Sequence, residues 1–368
     1  MLPEKFRFEL FDRMSVKTMR YVTAISRRDA TGLVANVYDQ VSEDFFINGS
    51  ITSHSKVPEL MAGMWTLGRE SILVNDKVSR TLKEAMGAIL SRINDCPYCG
   101  DMFVSLVHGG GEHDVASLIL SGDEDQIGDP LVRAQLQWAV AAATGERDKL
   151  AQSPFTEAQM PEALSTLMMS CYVNRFSHVV MDGSPVVPLF GLHRIKDVML
   201  RMFGTELKTT TERNIKPGLA LDLLPAAPIP EDLAWAASNP RIQNGVARWA
   251  AAIERETPHA VPAAVRNLMQ TSLDQWQGDR MPISRSWVDG ETAGLTGRDR
   301  ALARLVLVIG KASYQVDDGM VQEVLEHGCD EETLIRLLAW ASFTAARRIV
   351  ENTARATVAT RPGLAVAA

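Results

Sequence analysis

The sequence predicts an all-α protein; two observations carry that expectation and a third marks where the helices break. Five segments, "PELMAGMWTLGRESIL", "SRTLKEAMGAILSRI", "LVRAQLQWAVAAAT", "EALSTLMMSCYVNRFSHVV" and "LIRLLAWASFTAARRIVENTA", set apolar residues three and four apart, the repeat of a helix that buries one face. Alternating β-branched runs bounded by turn residues are nearly absent. The stretch 217–230, "PGLALDLLPAAPIP", holds four prolines in fourteen residues, and no helix can run through it.

These features divide the chain into a helical domain over 1–215, a proline-rich linker over 216–230 and a second helical domain over 231–357. The tail 358–368, "VATRPGLAVAA", has small residues and a Pro-Gly pair with little to bury, and it is expected to fray. At 368 residues the chain can build two cores without disulfide staples. Its 46% hydrophobic and 23% charged residues are ordinary for a globular protein. A net charge of −7 argues against nucleic acid as a partner. No run approaches the roughly 20 apolar residues that span a bilayer, and the opening "MLPEKFRFELFDRMSVKTMR" lacks the apolar core of a secretory signal. Four cysteines in so long a chain point to a reducing, cytoplasmic setting.

The chemistry concentrates in "RINDCPYCGDMF", residues 92–103. Asp95 is the expected N-cap of a new helix, with Pro97 in its first turn, where a missing N–H costs nothing. Unpaired N–H groups at such a terminus favour a thiolate, and Cys96 and Cys99, one turn apart, can close a disulfide after oxidation. Glu84 lies twelve residues before Cys96 on the preceding amphipathic segment. It could return to the thiols as a general base, or simply pair with a lysine or face water.

An internal repeat is weaker. Residues 100–109, "GDMFVSLVHG", and 319–328, "GMVQEVLEHG", share the spacing from glycine to His-Gly, and each follows a long helical segment. In that register Gln315 and Asp318 stand where Cys96 and Cys99 stand in the first copy, so a second copy would be degenerate. Tyr314, Asp317 and Asp318 at that place are expected to cap a helix start rather than move protons.

The run from "PELMAGMWTLGRESIL" through "VSRTLKEAMGAILSRINDCPYCGDM" into "LVHGGGEHD", roughly residues 30–185, resembles the carboxymuconolactone decarboxylase and alkylhydroperoxidase D superfamily, and "SCYVNRFSHVV" resembles its peroxidase-related branch. The resemblance implies an alkylhydroperoxidase D-like helical bundle and a homo-oligomer, and the internal repeat adds the expectation of two tandem copies with the second degenerate. It implies that Cys99 attacks a peroxide, that Cys96 resolves the sulfenic acid as a disulfide, and that Glu84 is the base. It further implies no bound cofactor or metal, a peroxide or disulfide substrate, and an external dithiol donor such as a lipoyl group or a thioredoxin-like protein. One position departs from the pattern: the family's motif continues to a histidine four residues after the second cysteine, and this chain has Phe103, which cannot carry a proton. His108 is nine residues from Cys99, about 13 Å along a helix.

Other readings of the same residues remain open at this level. Cys96, Cys99, His108 and His113 have a partial zinc-finger spacing, but the gap of eight residues is short; capping and loop polarity also account for the histidines. The other superfamily branch would make the chain a cofactor-free lyase, and a non-enzymatic redox switch or scaffold would use the pair without turnover. Cys171 is expected to be an inert core thiol, and Cys329 to sit exposed in a turn. Trp65, Trp138, Trp340, Met64 and Met86 are expected in the core. No G-x-G-x-x-G or P-loop pattern occurs.

Overall fold

The computed structural model describes residues 18–184 and 193–358. Their regular structure is helical, and its main helices are α1 (Gly32–Asp44), α2 (Gly49–Thr52), α3 (Pro58–Gly68), α4 (Arg80–Ile93), α5 (Pro97–Gly109), α6 (His113–Ser121), α7 (Pro130–Thr144), α8 (Met160–Val180) and α9 (His193–Thr211), followed by α10 (Pro240–Glu256), α11 (Ala263–Gln275), α12 (Gly297–Ala312), α13 (Asp318–Glu326) and α14 (Glu331–Val358), with short helices at Arg147–Leu150 and Ser286–Glu291. Among the described residues β pairing is limited to one isolated bridge between Met19 and Met181. None of the described helices is long and apolar enough to cross a membrane.

The helix α8 organises the packing. Of its 21 residues only Met160 and His178 escape full burial, which is the state of a helix with neighbours on every side. It touches α3, α4 and α5 from the first half and α10, α12 and α14 from the second, and the Arg175 guanidinium donates to the Gly310 carbonyl at 3.0 Å. Its Tyr172 ring meets Trp249 of α10 edge-on at 4.5 Å, and Trp249 meets Phe343 of α14 at 4.8 Å. Trp249 is fully buried and fits only because Gly63 of α3 has no side chain: a Cβ there would lie 2.3 Å from the indole. Trp249→Ala is expected to cost about 3–5 kcal/mol of stability, read from the urea midpoint; a loss below about 1 kcal/mol would deny it this keystone position.

The proline-rich stretch has no α-helix, only the 3-10 turn Leu221–Leu223, and its backbone borrows partners from α3 and the π-helical turn that follows α3, Arg69–Leu73. Arg69 donates to the Lys216 carbonyl at 2.9 Å, Glu70 accepts the Gly218 N–H at 2.9 Å, and Thr66 donates to the Ala220 carbonyl at 3.0 Å. Arg69 and Glu70 are fully buried and paired with each other at 2.5 Å. Buried charges survive only when paired and hydrogen-bonded, so these two residues tie the stretch down.

The start of α5 differs from expectation. Cys96, not Asp95, is its N-cap, with Pro97 at the first helical position. Asp95 takes a left-handed conformation, φ 51°, which aspartate tolerates better than most residues, and its carboxylate pairs with Arg280 at 2.5 Å. The reason is the tightness of the connection: three residues separate α4 from α5, so one must reverse the chain and the next must cap. Of the tail assigned to 358–368, residues 359–368 lie outside the described residues.

Candidate active site: a dithiol beside an apolar cavity

The two thiols are delivered by the α4–α5 connection. Ser91 of α4 donates its hydroxyl to the Gly87 carbonyl at 2.6 Å, and its own carbonyl accepts the Cys96 N–H at 2.9 Å. Cys96 and Cys99 are joined as a disulfide with Cα atoms 5.4 Å apart, within the usual range for such a bridge. Both are buried, at 2% and 3% exposure. The Cys99 N–H donates to Cys96 Sγ at 3.4 Å, so Cys96 is the sulfur that meets the N–H groups of the helix start. Cys99 Sγ instead lies 3.8 Å from the Val173 carbonyl of α8.

Cys99 lines a cavity of about 90 Å³. Its walls are apolar, with Met64, Trp65, Met102, Phe103 and Met169 among them, and its polar groups are Asn48, Ser50 and Tyr98. Met64 and Trp65 are therefore not only core residues; Trp138, by contrast, packs edge-on against Phe155 at 5.1 Å, and Met86 and Trp340 are buried in the core. Tyr98, one of the two residues between the cysteines, accepts the Gly49 N–H at 3.0 Å. Burial pushes its phenol up to about 12, so it stays neutral and keeps its proton at physiological pH. Asn48 and Ser50 come from α2 and the residue capping it. Nothing in "INGSITSHS" signals this role, because α2 spans a single turn and has no period to read.

Glu84 does not line the cavity. Its Oε1 accepts from Arg80 Nε at 2.8 Å, one turn back on α4, rather than from a lysine, while its buried Oε2 has no hydrogen-bond partner. Burial raises its pKa, with Arg80 and Lys83 pulling the other way. The residues one turn to either side touch the cavity wall from behind. Arg80 lies 6.0 Å from the centroid of the Phe45 ring, and a Cβ on Gly87 would lie 2.6 Å from the Phe103 ring. Phe103 thus fills the space between the Glu84 helix and the cavity, where a proton-carrying side chain would have linked them.

His108 stands at the far end of α5. Its Nδ1 is 3.2 Å from His113 Nδ1, and its Nε2 is 3.4 Å from Asp197. Burial lowers its pKa. Among the described residues no group of three or more His, Cys, Asp or Glu side chains could hold a metal ion. Cys171 is buried as expected. Cys329 is buried too, against the expectation of exposure, because Arg298 from the start of α12 covers it with Nη2 3.8 Å from Sγ. Asp317 caps α13, accepting the Met320 N–H at 3.0 Å, and Asp318 pairs with Arg20.

No family model matches the chain. It is 29% identical over 335 residues, 91% of its own length and 94% of the other's, to the protein named alkyl hydroperoxide reductase Rv2159c of Mycobacterium tuberculosis (strain ATCC 25618 / H37Rv). That similarity supports the alkylhydroperoxidase D-like superfamily for this all-α chain. Together with the joined cysteine pair, it supports a redox-active enzyme that works through a dithiol.

Proposed function

We propose that this protein reduces organic hydroperoxides with the Cys96–Cys99 dithiol. The observation that carries the reading is that Cys99, one half of the joined pair, lines an apolar cavity. In the reduced protein, Cys99 thiolate attacks the terminal peroxide oxygen, the O–O bond breaks, and the alkoxide takes a proton and leaves as an alcohol. Cys96 thiolate then displaces hydroxide from the Cys99 sulfenic acid, giving the disulfide and water. Glu84 is assigned as the base for thiolate formation, because burial raises its pKa and its Oε2 has no partner; Phe103, standing between it and the cavity, slows that proton transfer. The Tyr98 phenol stabilises the departing alkoxide from within the cavity. A lipoyl or thioredoxin-like dithiol returns the electrons, and a reducing cytoplasm suits that step. The peroxidase-related branch of the superfamily and a homo-oligomeric state accompany this proposal.

Residues 231–357 are read as a degenerate copy that supports the site from behind, through its packing on α8, and contributes no residue to the cavity wall. The reading is supported by a second helix pair, α12 and α13, separated by a short turn containing Gln315 where the dithiol would stand. Phe103 favours a second activity at the same pair, thiol–disulfide exchange, which needs less proton relay than peroxide cleavage does.

The test exposes reduced protein to tert-butyl hydroperoxide, alkylates free thiols and weighs the intact chain. Rapid disulfide formation, reversed by dihydrolipoamide, is the expected result; thiols that stay reduced overturn the peroxidase reading. Phe103→His, which sets an imidazole between Gly87 and the cavity, is expected to speed disulfide formation by about 10²-fold, measured by the same alkylation at timed intervals.

A further inference from the structure

Three thioethers share the cavity with Cys99, each from a different helix: Met64 of α3, Met102 of α5 and Met169 of α8. Met64 and Met169 are 4% and 3% exposed. Met169 is pressed against Gly68, at the junction of α3 and the π-helical turn, where a Cβ would lie 3.3 Å from its methyl group and 3.7 Å from its sulfur. Met102 follows Cys99 by three residues, so the two lie on the same face of α5. Met202 on α9 is the opposite case, at 66% exposure.

The joined state of the cysteines matters here. With Cys96 and Cys99 bonded to each other, neither sulfur is a free thiolate that can attack a peroxide, and the cavity is present in this disulfide state. The three thioethers are the remaining sulfur nucleophiles among its walls. A hydroperoxide that reaches the cavity before the disulfide is reduced is therefore held against sulfur that can still react.

We propose that Met64, Met102 and Met169 are oxygen-acceptor sites for an organic hydroperoxide when the dithiol is in its disulfide form. This inference rests on the reading that the cavity admits such peroxides. The thioether sulfur attacks the terminal oxygen, the O–O bond breaks and the S–O bond of a sulfoxide forms. The proton of the transferred oxygen passes to the alkoxide, which leaves as an alcohol. The sulfur is oxidised by two electrons and the peroxide is reduced by two, so no further reactant is needed. A sulfoxide is polar, and in an apolar lining it shuts the cavity to the next apolar peroxide. Reduction of the sulfoxide by an external methionine sulfoxide reductase, with the oxygen leaving as water, reopens it. Oxidation of this kind acts as a reversible brake that engages when peroxide outruns the dithiol donor.

The test inverts the usual order of methionine oxidation. The full chain, converted to its disulfide with diamide, is treated in parallel with tert-butyl hydroperoxide and with hydrogen peroxide, digested, and its methionine sulfoxides are quantified peptide by peptide. With the organic peroxide, sulfoxide at Met64, Met102 or Met169 is expected to form about 10-fold faster than at exposed Met202, whereas hydrogen peroxide oxidises Met202 first. Fully reduced protein, given less than one equivalent of the organic peroxide, is expected to form disulfide and leave the cavity methionines intact. If Met202 leads with both peroxides, the inference is overturned. If the reduced protein forms disulfide while the cavity methionines never react, this inference alone fails. If the reduced protein forms no disulfide, it is the proposed peroxidase activity that fails.

Discussion

Cys99→Ser is expected to end peroxide reduction, lowering the rate by about 10⁴-fold or more, as loss of a nucleophile does in other enzymes. Serine is nearly isosteric, so the cavity and the start of α5 should survive and the loss should be chemical. Cys96→Ser should behave differently. Oxygen transfer to Cys99 still occurs once, but without a resolving thiol the chain stops one oxygen heavier, as sulfenic acid. Mass spectrometry of the two variants after a single addition of peroxide distinguishes the roles. Oxidation of Cys99→Ser to a sulfenic acid at Cys96, with Cys96→Ser inert, would exchange them. The geometry makes this comparison pointed, because the two sulfurs have different surroundings: Cys96 receives the helix-start N–H, whereas Cys99 meets the cavity.

Acid is expected to destabilise the fold through His54. This residue is fully buried, with Nδ1 2.9 Å from the Ser50 carbonyl and Nε2 2.7 Å from Tyr172 Oη, and its ring stacks on Phe176 at 3.8 Å. Burial holds the imidazole down to about 3, from an ordinary 6.5. Between those values the unfolded chain binds a proton that the native state does not, so stability falls as pH drops from 6.5 towards 3. Below 3 both states carry the proton and the dependence flattens. At about 1.4 kcal/mol per pKa unit, the loss is on the order of 5 kcal/mol at most. Glu84 contributes with the opposite sign, since its raised pKa lets the native state keep a proton that the unfolded chain has lost. Urea unfolding at pH 6.5 and pH 4, in the native chain and in His54→Gln, isolates the histidine. A variant with the native pH slope would remove His54 from the account.

Much of the local structure is legible from the residues in order. The periods in "SRTLKEAMGAILSRI" and "EALSTLMMSCYVNRFSHVV" correspond to α4 and α8, and Pro97 marks the first position of α5. What a period cannot report is a neighbour. The buried stretch 48–55 that brings Asn48, Ser50 and His54 to the centre is too short and too polar to show a pattern, and it is held there by Tyr98, Tyr172 and Ser177 across long sequence separations. Glu84 is legible as a candidate by its distance from Cys96, but its partner Arg80 and its place behind Phe45 and Phe103 depend on the packing of three separate segments.

By itself, the sequence determined that the chain is helical and that two thiols stand one turn apart at a helix start, with phenylalanine one turn beyond. Spacing along a single helix decides those facts, because backbone geometry translates i, i+3 and i+4 directly into a shared face. Tertiary structure alone decided that Cys99 faces an apolar cavity, that Met64, Met102 and Met169 surround it, and that Arg298 covers Cys329. The cavity exists only where α2, α3, α5 and α8 converge around Gly68 and Tyr98. Such a convergence follows from close packing among distant segments, and no local repeat encodes it.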